Sequence, residues 1–213
     1  MEEVLKNLFD AVLEGDFEGV KTQVQASLDA KLDPALILNE GMIAAMREVG
    51  CRFEAGEYYV PEMLIAARAM QTGMALLKPH LQQADQKSSG RVVIGTVKGD
   101  LHDIGKNLVS LMLEGAGYEI IDLGVDVPAE EFVKKVTELK PDIVGMSALL
   151  TTTMPSMKTT IDALTAAGLR NHSKVIIGGA PVTETYAQQI EADGFSPDAS
   201  RAVNLVNGLL NNE

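Results

Sequence analysis

Tryptophan is absent from this chain of 213 residues, and its aromatic side chains are four Tyr and five Phe. Those few rings are not interleaved with basic residues, as a surface that stacks nucleic-acid bases requires. Cysteine occurs once, at Cys51, which excludes an internal disulfide framework and any thiolate cluster around zinc or iron and sulfur. Its place on an expected helix points to buried packing. Cationic residues are also scarce: 18 Lys and Arg against 30 Asp and Glu leave a formal net charge of -12 at pH 7, which repels phosphate backbones and anionic membrane surfaces. Long apolar runs are missing, since each is interrupted well short of the roughly 20 residues that cross a bilayer. No cationic segment with an apolar signal core follows Met1. The expectation is a soluble, cytoplasmic protein with no nucleic-acid or membrane partner, whose 46% hydrophobic content can bury a real core in one or two domains.

What is present falls into two patterns. Through about residue 80, apolar residues recur at helical spacing only. Val4, Leu5, Leu8, Phe9 and Val12 share a face, and Glu14-Gly15-Asp16 closes that helix and caps a second that carries Val20, Val24 and Leu28. A third opens at Asp33-Pro34, where aspartate caps well and proline is tolerated in the first turn, and repeats through Leu36, Ile37, Ile43, Met46 and Val49. A fourth follows Pro61 through Met63, Leu64, Ala67, Met70, Met74 and Leu77 and is expected to stop near Pro79. The reading is an N-terminal four-helix bundle over residues 1–85. Met1, Met42, Met46, Met63, Met70 and Met74 lie in it; methionine suits ordinary core filling and equally an apolar lid over a bulky ligand. His80–Gly90 is polar and aperiodic and reads as an interdomain linker.

From Arg91 strands and helices alternate. Arg91–Val97, Tyr118–Leu123, Asp142–Ser147 and Lys174–Gly178 read as short apolar strands, each followed by a helix, and Gly194-Phe195 is the one trace of a fifth. The pattern predicts an α/β domain over 91–213, a flavodoxin-like (Rossmann-like) doubly wound parallel sheet in the order 2-1-3-4-5. At the switch point of that order three loops meet: Gly99–Gly105, the stretch from Ser147-Ala-Leu149 to Thr151-Thr-Thr153, and Gly178-Gly179. His102 is the candidate metal ligand. Asp100 is placed to accept a hydrogen bond from one ring nitrogen, which fixes the tautomer and frees the other nitrogen. Asp103, Ile104, Leu149 and Thr151 share these loops and join the candidate cofactor-binding set. Small residues at Gly105, Ser147, Gly178 and Gly179 would open a narrow slot suited to a cofactor with a thin tail and a flat, metal-bearing head. Taken singly, each motif also has a plainer reading, as a surface loop with a stray Asp and His or as a pair of glycines in a turn. No general acid, base or nucleophile is evident, so no catalytic residue is assigned.

Together, Asp100-x-His102-x-x-Gly105, Ser147-x-Leu149 and Gly178-Gly179 resemble the three-part signature of the cobalamin-binding domain of methionine synthase and related proteins. The separations, residues 106–146 and 150–177, match as well. In the N-terminal half, Met46-Arg-Glu-Val-Gly50, Phe53-x-x-Gly56-Glu57 and Val60-Pro-Glu-Met63 resemble the helical cap of the same family, so the likeness covers nearly the whole chain. With no substrate barrel attached, the chain is most similar to the free-standing corrinoid proteins that shuttle methyl groups in methanogens and anaerobic bacteria.

The resemblance implies a cobalamin or related corrinoid cofactor, carried as methylcobalamin, with His102 as the lower ligand of cobalt. It implies that Asp100 hydrogen-bonds His102 and that the nucleotide tail enters the slot lined by Gly105, Ser147, Gly178 and Gly179. In methionine synthase a serine completes this relay; the matching residue here is Thr153, which has the hydroxyl and one extra methyl to place. The implied role is a non-catalytic, methyl-carrying subunit. It would work between a substrate-specific methyltransferase and a second methyltransferase with a tetrahydrofolate or coenzyme M acceptor, and be served by a reductive activation protein. The helical half would cover the upper face of the cofactor and move about the linker at 80–90. The methyl donor is left open, because its recognition would lie in another polypeptide. Other readings are a cobalamin-dependent sensor or regulator, the small subunit of an adenosylcobalamin isomerase, and a flavodoxin-like domain without cobalt. Against them stand the lack of a basic or DNA-binding segment outside the two domains, the cap-like bundle, and the matching separations.

Overall fold

The helical spacing of the first half and the alternation of the second both become regular elements in a computed structural model, which describes residues 2–83 and 88–211. The chain forms two units, one helical and running through Ser88, the other α/β and built from Ser89–Glu114 and Tyr118–Glu213. Among the described residues no helix is long and apolar enough to cross a membrane.

In the helical unit, α1 (Glu2–Glu14) and α2 (Phe17–Asp29) are joined by a turn whose Asp16 carboxylate accepts from the Gly19 amide and caps α2. A cap of this kind stabilises by about 1 kcal/mol. Asp33 does the same for α3 (Pro34–Leu36), accepting from the Ala35 amide. The helix then widens into a π-helical segment, Ile37–Ile43, before α4 (Ala44–Glu54). Bonding from residue i to i+5 shifts the buried face, so Gly41 and Met42 turn inward where α-helical spacing from Ile37 would not place both. Gly41 lies against Leu8 of α1 and Met42 against Gly73.

Two expectations are corrected here. The last helix, α5 (Val60–Gln83), does not stop at Pro79 but runs through it. Proline at this place removes one backbone bond, to the carbonyl four residues earlier, and Leu77 and Leu81 on either side are buried and hold the turn in place. Cys51 is exposed rather than packed, because the inward face of α4 is made by Ala45, Met46, Val49 and Gly50 and Cys51 lies one residue further round. Met42, Met46, Met63 and Met70 are buried, as core filling requires. The expected linker is helical over His80–Gln83, whereas residues 84–87, like Met1, lie outside the described residues.

The α/β unit is a five-stranded parallel sheet in the order β2-β1-β3-β4-β5, built from β1 (Arg91–Thr96), β2 (Glu119–Asp122), β3 (Ile143–Ser147), β4 (Lys174–Gly178) and β5 (Gly194–Ser196). The connecting helices are α6 (Ile104–Gly115), α7 (Ala129–Leu139), α8 (Pro155–Ala166) and α9 (Glu184–Gln189), with α10 (Ala199–Asn211) last. One face of the sheet packs Val93, Val144, Val175 and Ile177 against Phe132 and Val136 of α7, Met157 and Ile161 of α8, and Ile190. Alternate residues of the same strands, Val92, Ile94, Ile143 and Ile176, are buried toward the other face by the two-residue period of a strand. With both faces covered, the strands read as continuous apolar runs. Thr96 stands level with Ser147, and Ser147 with Gly178, so β1, β3 and β4 release their loops at one edge.

Candidate functional site

At that edge the chain leaves β1 through a tight turn in which the Asp100 amide donates to the Val97 carbonyl at 3.1 Å. The Asp100 side chain is fully buried, yet five donors converge on it. Oδ1 accepts from the His102 amide at 3.0 Å and from His102 Nδ1 at 2.8 Å. Oδ2 accepts from the Leu149 amide at 2.7 Å, the Leu150 amide at 3.3 Å and the Thr153 hydroxyl at 2.7 Å. Burial pushes this carboxyl up, but the bonds from Thr153, the His102 and Leu149 amides and the His102 ring outweigh it and hold the group well below the usual carboxylate range. An ionised carboxylate only accepts, so the hydrogen on the ring sits on Nδ1. Nε2 keeps its lone pair and has no hydrogen-bond partner among the described residues, on a side chain that is 52% exposed.

Thr153 is buried, and its two branches separate. Its hydroxyl lies against Asp100 and also 2.8 Å from the Leu150 carbonyl, so one proton is shared between two acceptors. Its methyl carbon packs toward Gly99, 3.5 Å from where a side chain there would begin. The methyl that separates threonine from serine therefore leaves the hydroxyl free to reach the carboxylate.

The other candidate residues divide into four groups. Leu149 is tied to the histidine loop through its amide, and the Asp103 backbone carbonyl opens α6 by accepting from the Asn107 amide at 2.8 Å. Ile104, Gly105 and Thr151 are exposed, and a Cβ added at Gly105 would meet nothing within 4 Å, so this position leaves open room beside the loop. Ser147 and Gly178 are half-buried at the strand ends. Gly179 is glycine for a reason internal to the fold: its φ is +133°, and a Cβ would stand 1.8 Å from the Ala148 carbonyl oxygen. That contact seats the β4 loop directly on the β3 loop.

Sequence reasoning missed several residues that shape the site. Thr96 is buried and donates its hydroxyl to the His102 carbonyl at 2.9 Å, and Ser156 donates to the Lys98 carbonyl at 3.0 Å. A strand threonine and a helix serine carry no signal that distinguishes them. Leu101 and Leu150 could have been found, because large apolar residues in short polar loops are unexpected. They are exposed with Ile104 and Leu149, Leu101 to 71% and Ile104 to 83%; Leu101 and Ile104 neighbour His102 in the chain and the Leu149 and Leu150 amides bond Asp100, so the two loops carry an apolar rim of the kind that a ligand covers.

One neutral imidazole nitrogen is a sound metal donor, but among the described residues no group of three His, Cys, Asp or Glu could hold a bare ion. Protein-only metal sites use three or four such ligands. A metal held here must bring its remaining ligands with it, as a macrocycle does, and the apolar rim suits the edges of such a ring. The residues present fit a corrinoid.

Comparison with known proteins points to the same class of ligand. Residues 90–204 match a family model described as a B12 binding domain, and residues 4–78 match a second model of the same description. The chain is 42% identical over 211 residues to trimethylamine corrinoid protein 1 of Methanosarcina acetivorans, covering 98% of both chains. It is 43% identical over 210 residues to dimethylamine corrinoid protein 1 of the same organism, again covering 98% of both. The crystal structure of the methanol:cobalamin methyltransferase complex of Methanosarcina barkeri matches with a TM-score of 0.89 and 31% identity, over 99% of this chain and 81% of that one.

Proposed function

The chain belongs to the B12-binding family of corrinoid proteins, and from that premise we propose that it carries a methyl group on the cobalt of a bound corrinoid. It takes the group from a substrate-specific methyltransferase and delivers it to a second methyltransferase whose acceptor is tetrahydrofolate or coenzyme M. The observation that carries this reading is the hydrogen-bonded chain from Thr153 through buried Asp100 to half-exposed His102. When bound, the corrinoid supplies a cobalt centre that accepts a methyl cation equivalent and gives it up again.

The chain's own residues hold and tune. His102 Nε2 would ligate cobalt, and Asp100 keeps the proton on Nδ1 so that this nitrogen stays available. The ring presents an N–H to the Asp100 carboxylate from Nδ1, so that contact orients it whether or not Nε2 is engaged. Thr153 steadies that carboxylate by donating to it. Gly105, Ser147, Gly178 and Gly179 would take the nucleotide tail, and Asp103, Ile104, Leu149 and Thr151 would border the ring.

The named methanol:cobalamin methyltransferase complex supports a methyltransferase as partner. The second methyltransferase, the reductive activation protein and a cytoplasmic location complete the proposal. The relatives at 42% and 43% identity are named for trimethylamine and dimethylamine, and the methanol complex stands at 31%. The two amine-named relatives make a methylated amine the donor class to test first.

The test is reconstitution with methylcobalamin, reading cobalt content and the visible spectrum beside His102→Ala. Stoichiometric cobalt is expected, with a histidine-ligated spectrum that the variant loses. A chain that takes up no corrinoid, or a variant with an unchanged spectrum, overturns the assignment.

A further inference from the structure

We propose that Asp126 is a positioning residue for the histidine loop, holding both ends of the Gly99-Asp100 turn through its carboxylate and its amide and thereby setting where the His102 ring stands. The consequence for the cofactor rests on the carrier reading above; the clamp itself does not.

Asp126 lies between β2 and α7, 27 residues from Gly99. Its Oδ1 accepts from the Gly99 amide at 2.8 Å, and its own amide donates to the Asp100 carbonyl at 2.9 Å. The Lys98 ammonium approaches the same carboxylate at 3.1 Å. One residue thus grips the turn on both sides of the peptide that carries Asp100, without touching His102. Asp126 does so at a φ of +54°, in the left-handed region. Non-glycine residues adopt that conformation at a cost, and glycine would fit there without strain. A carboxylate at this position is therefore explained by what it binds. The Gly99 amide, more than the Lys98 pair, holds the carboxyl below its usual range.

The segment around Asp126 is firm enough to act as an anchor. The Thr96 amide donates to the Gly124 carbonyl and the Val127 amide to the Thr96 carbonyl, each at 2.9 Å, so the segment runs in register with the end of β1. Asp122 accepts from the Gly124 amide at 2.8 Å and pairs with the buried ammonium of Lys106 in the first turn of α6. On the opposite side Ser156 holds the Lys98 carbonyl. The histidine loop therefore begins between two fixed walls. Its far end is tied by Thr96 to the His102 carbonyl. Loss of the Asp126 carboxylate would free the Gly99 side of the turn while the Asp126 amide still holds the Asp100 carbonyl, so the Asp100 peptide would tilt about that bond and move the acceptor away from Nδ1.

The test compares Asp126→Gly, which removes the carboxylate but suits the backbone, with Asp126→Asn, which keeps an acceptor for Gly99. Lys98→Met removes the ion pair alone. In the chain without corrinoid, nitrogen-15 NMR of the His102 ring is expected to show a single Nδ1–H tautomer in the wild type, Asp126→Asn and Lys98→Met, and a mixture in Asp126→Gly. In chains reconstituted with methylcobalamin, the balance between histidine-ligated and unligated spectra is expected to fall about tenfold in Asp126→Gly, the scale of one hydrogen bond to a charged group. The other two variants should stay within about twofold of wild type. Hydrogen exchange supplies a measurement without any variant: the Gly99 amide should be protected in the wild type. An unprotected Gly99, or Asp126→Gly with wild-type ring signals and spectrum, overturns the proposal. Failure of the wild type to bind corrinoid overturns the carrier reading instead and leaves the ring measurement to judge Asp126.

Discussion

At the scale of single residues, the site is governed by how a fully buried carboxylate is satisfied. Asp100 would be costly in its charged form without its five donors, and one of them is a hydroxyl from a residue 53 positions away. Thr153→Val keeps the shape and removes that donor; it is expected to cost about 1.5–3 kcal/mol in urea unfolding, the range for a hydrogen bond to a charged group. Thr153→Ser keeps the donor and gives up the methyl over Gly99, so its cost should stay under about 1 kcal/mol. The same group makes stability depend on pH. In the unfolded chain Asp100 titrates near about 3.9, whereas in the folded chain it titrates lower, so at acid pH the unfolded state binds the extra proton. The stabilisation is complete above the unfolded value and declines as pH falls through the folded one. The stability gap between wild type and Asp100→Asn should therefore shrink as pH falls below about 4.

At the scale of elements, two glycines in the candidate slot behave oppositely, and stability measurements separate them. Gly179→Ala forces a Cβ to 1.8 Å from a backbone oxygen at a φ of +133°, where no flexible side chain can give way. It is expected to lose more than about 4 kcal/mol, the exceptional range for a point substitution, and to lower the yield of folded protein. Gly105→Ala adds a methyl that meets nothing in the first turn of α6. Its unfolding free energy should lie within about 0.5 kcal/mol of wild type, while corrinoid affinity measured by spectral titration falls if, as proposed, the tail passes Gly105. The strands and helices themselves were legible from residue spacing because each is a local pattern. The π-helical segment was not legible: Leu36 and Ile43 stand seven residues apart, as an α-helical stripe would place them, and only the packing of Gly41 against Leu8 accompanies the widened turn.

At the scale of the molecule, a ligand that binds only the folded chain must stabilise it. Methylcobalamin at about 100 times its dissociation constant should add about 2.7 kcal/mol, read as a saturable rise in melting temperature. His102→Ala should show a smaller rise at equal concentration, since it keeps the slot and loses the metal ligand. A melting temperature indifferent to the corrinoid would contradict the carrier reading independently of any spectrum. The net charge of -12 matters at this scale too, as a barrier to polyanionic partners that salt would weaken.

By itself the sequence determined the class of the fold, the parallel order of the strands, and the meeting of three loops around His102, Asp100 and the paired glycines. The fold class follows from periodicity and spacing along the chain, which a linear string records; the strand order and the meeting of the loops follow from the common order of that class. Tertiary structure alone decided which branch of Thr153 faces Asp100, that Gly179 serves the backbone while Gly105 leaves room, that Thr96 and Asp126 grip the histidine loop, that α5 continues through Pro79 and that Cys51 lies outside. Each of these depends on what a side chain meets after the chain has closed on itself, in several cases across 27 to 53 residues. A hydrogen bond or a close approach at that separation is set by angle and distance in space, and no local pattern encodes either.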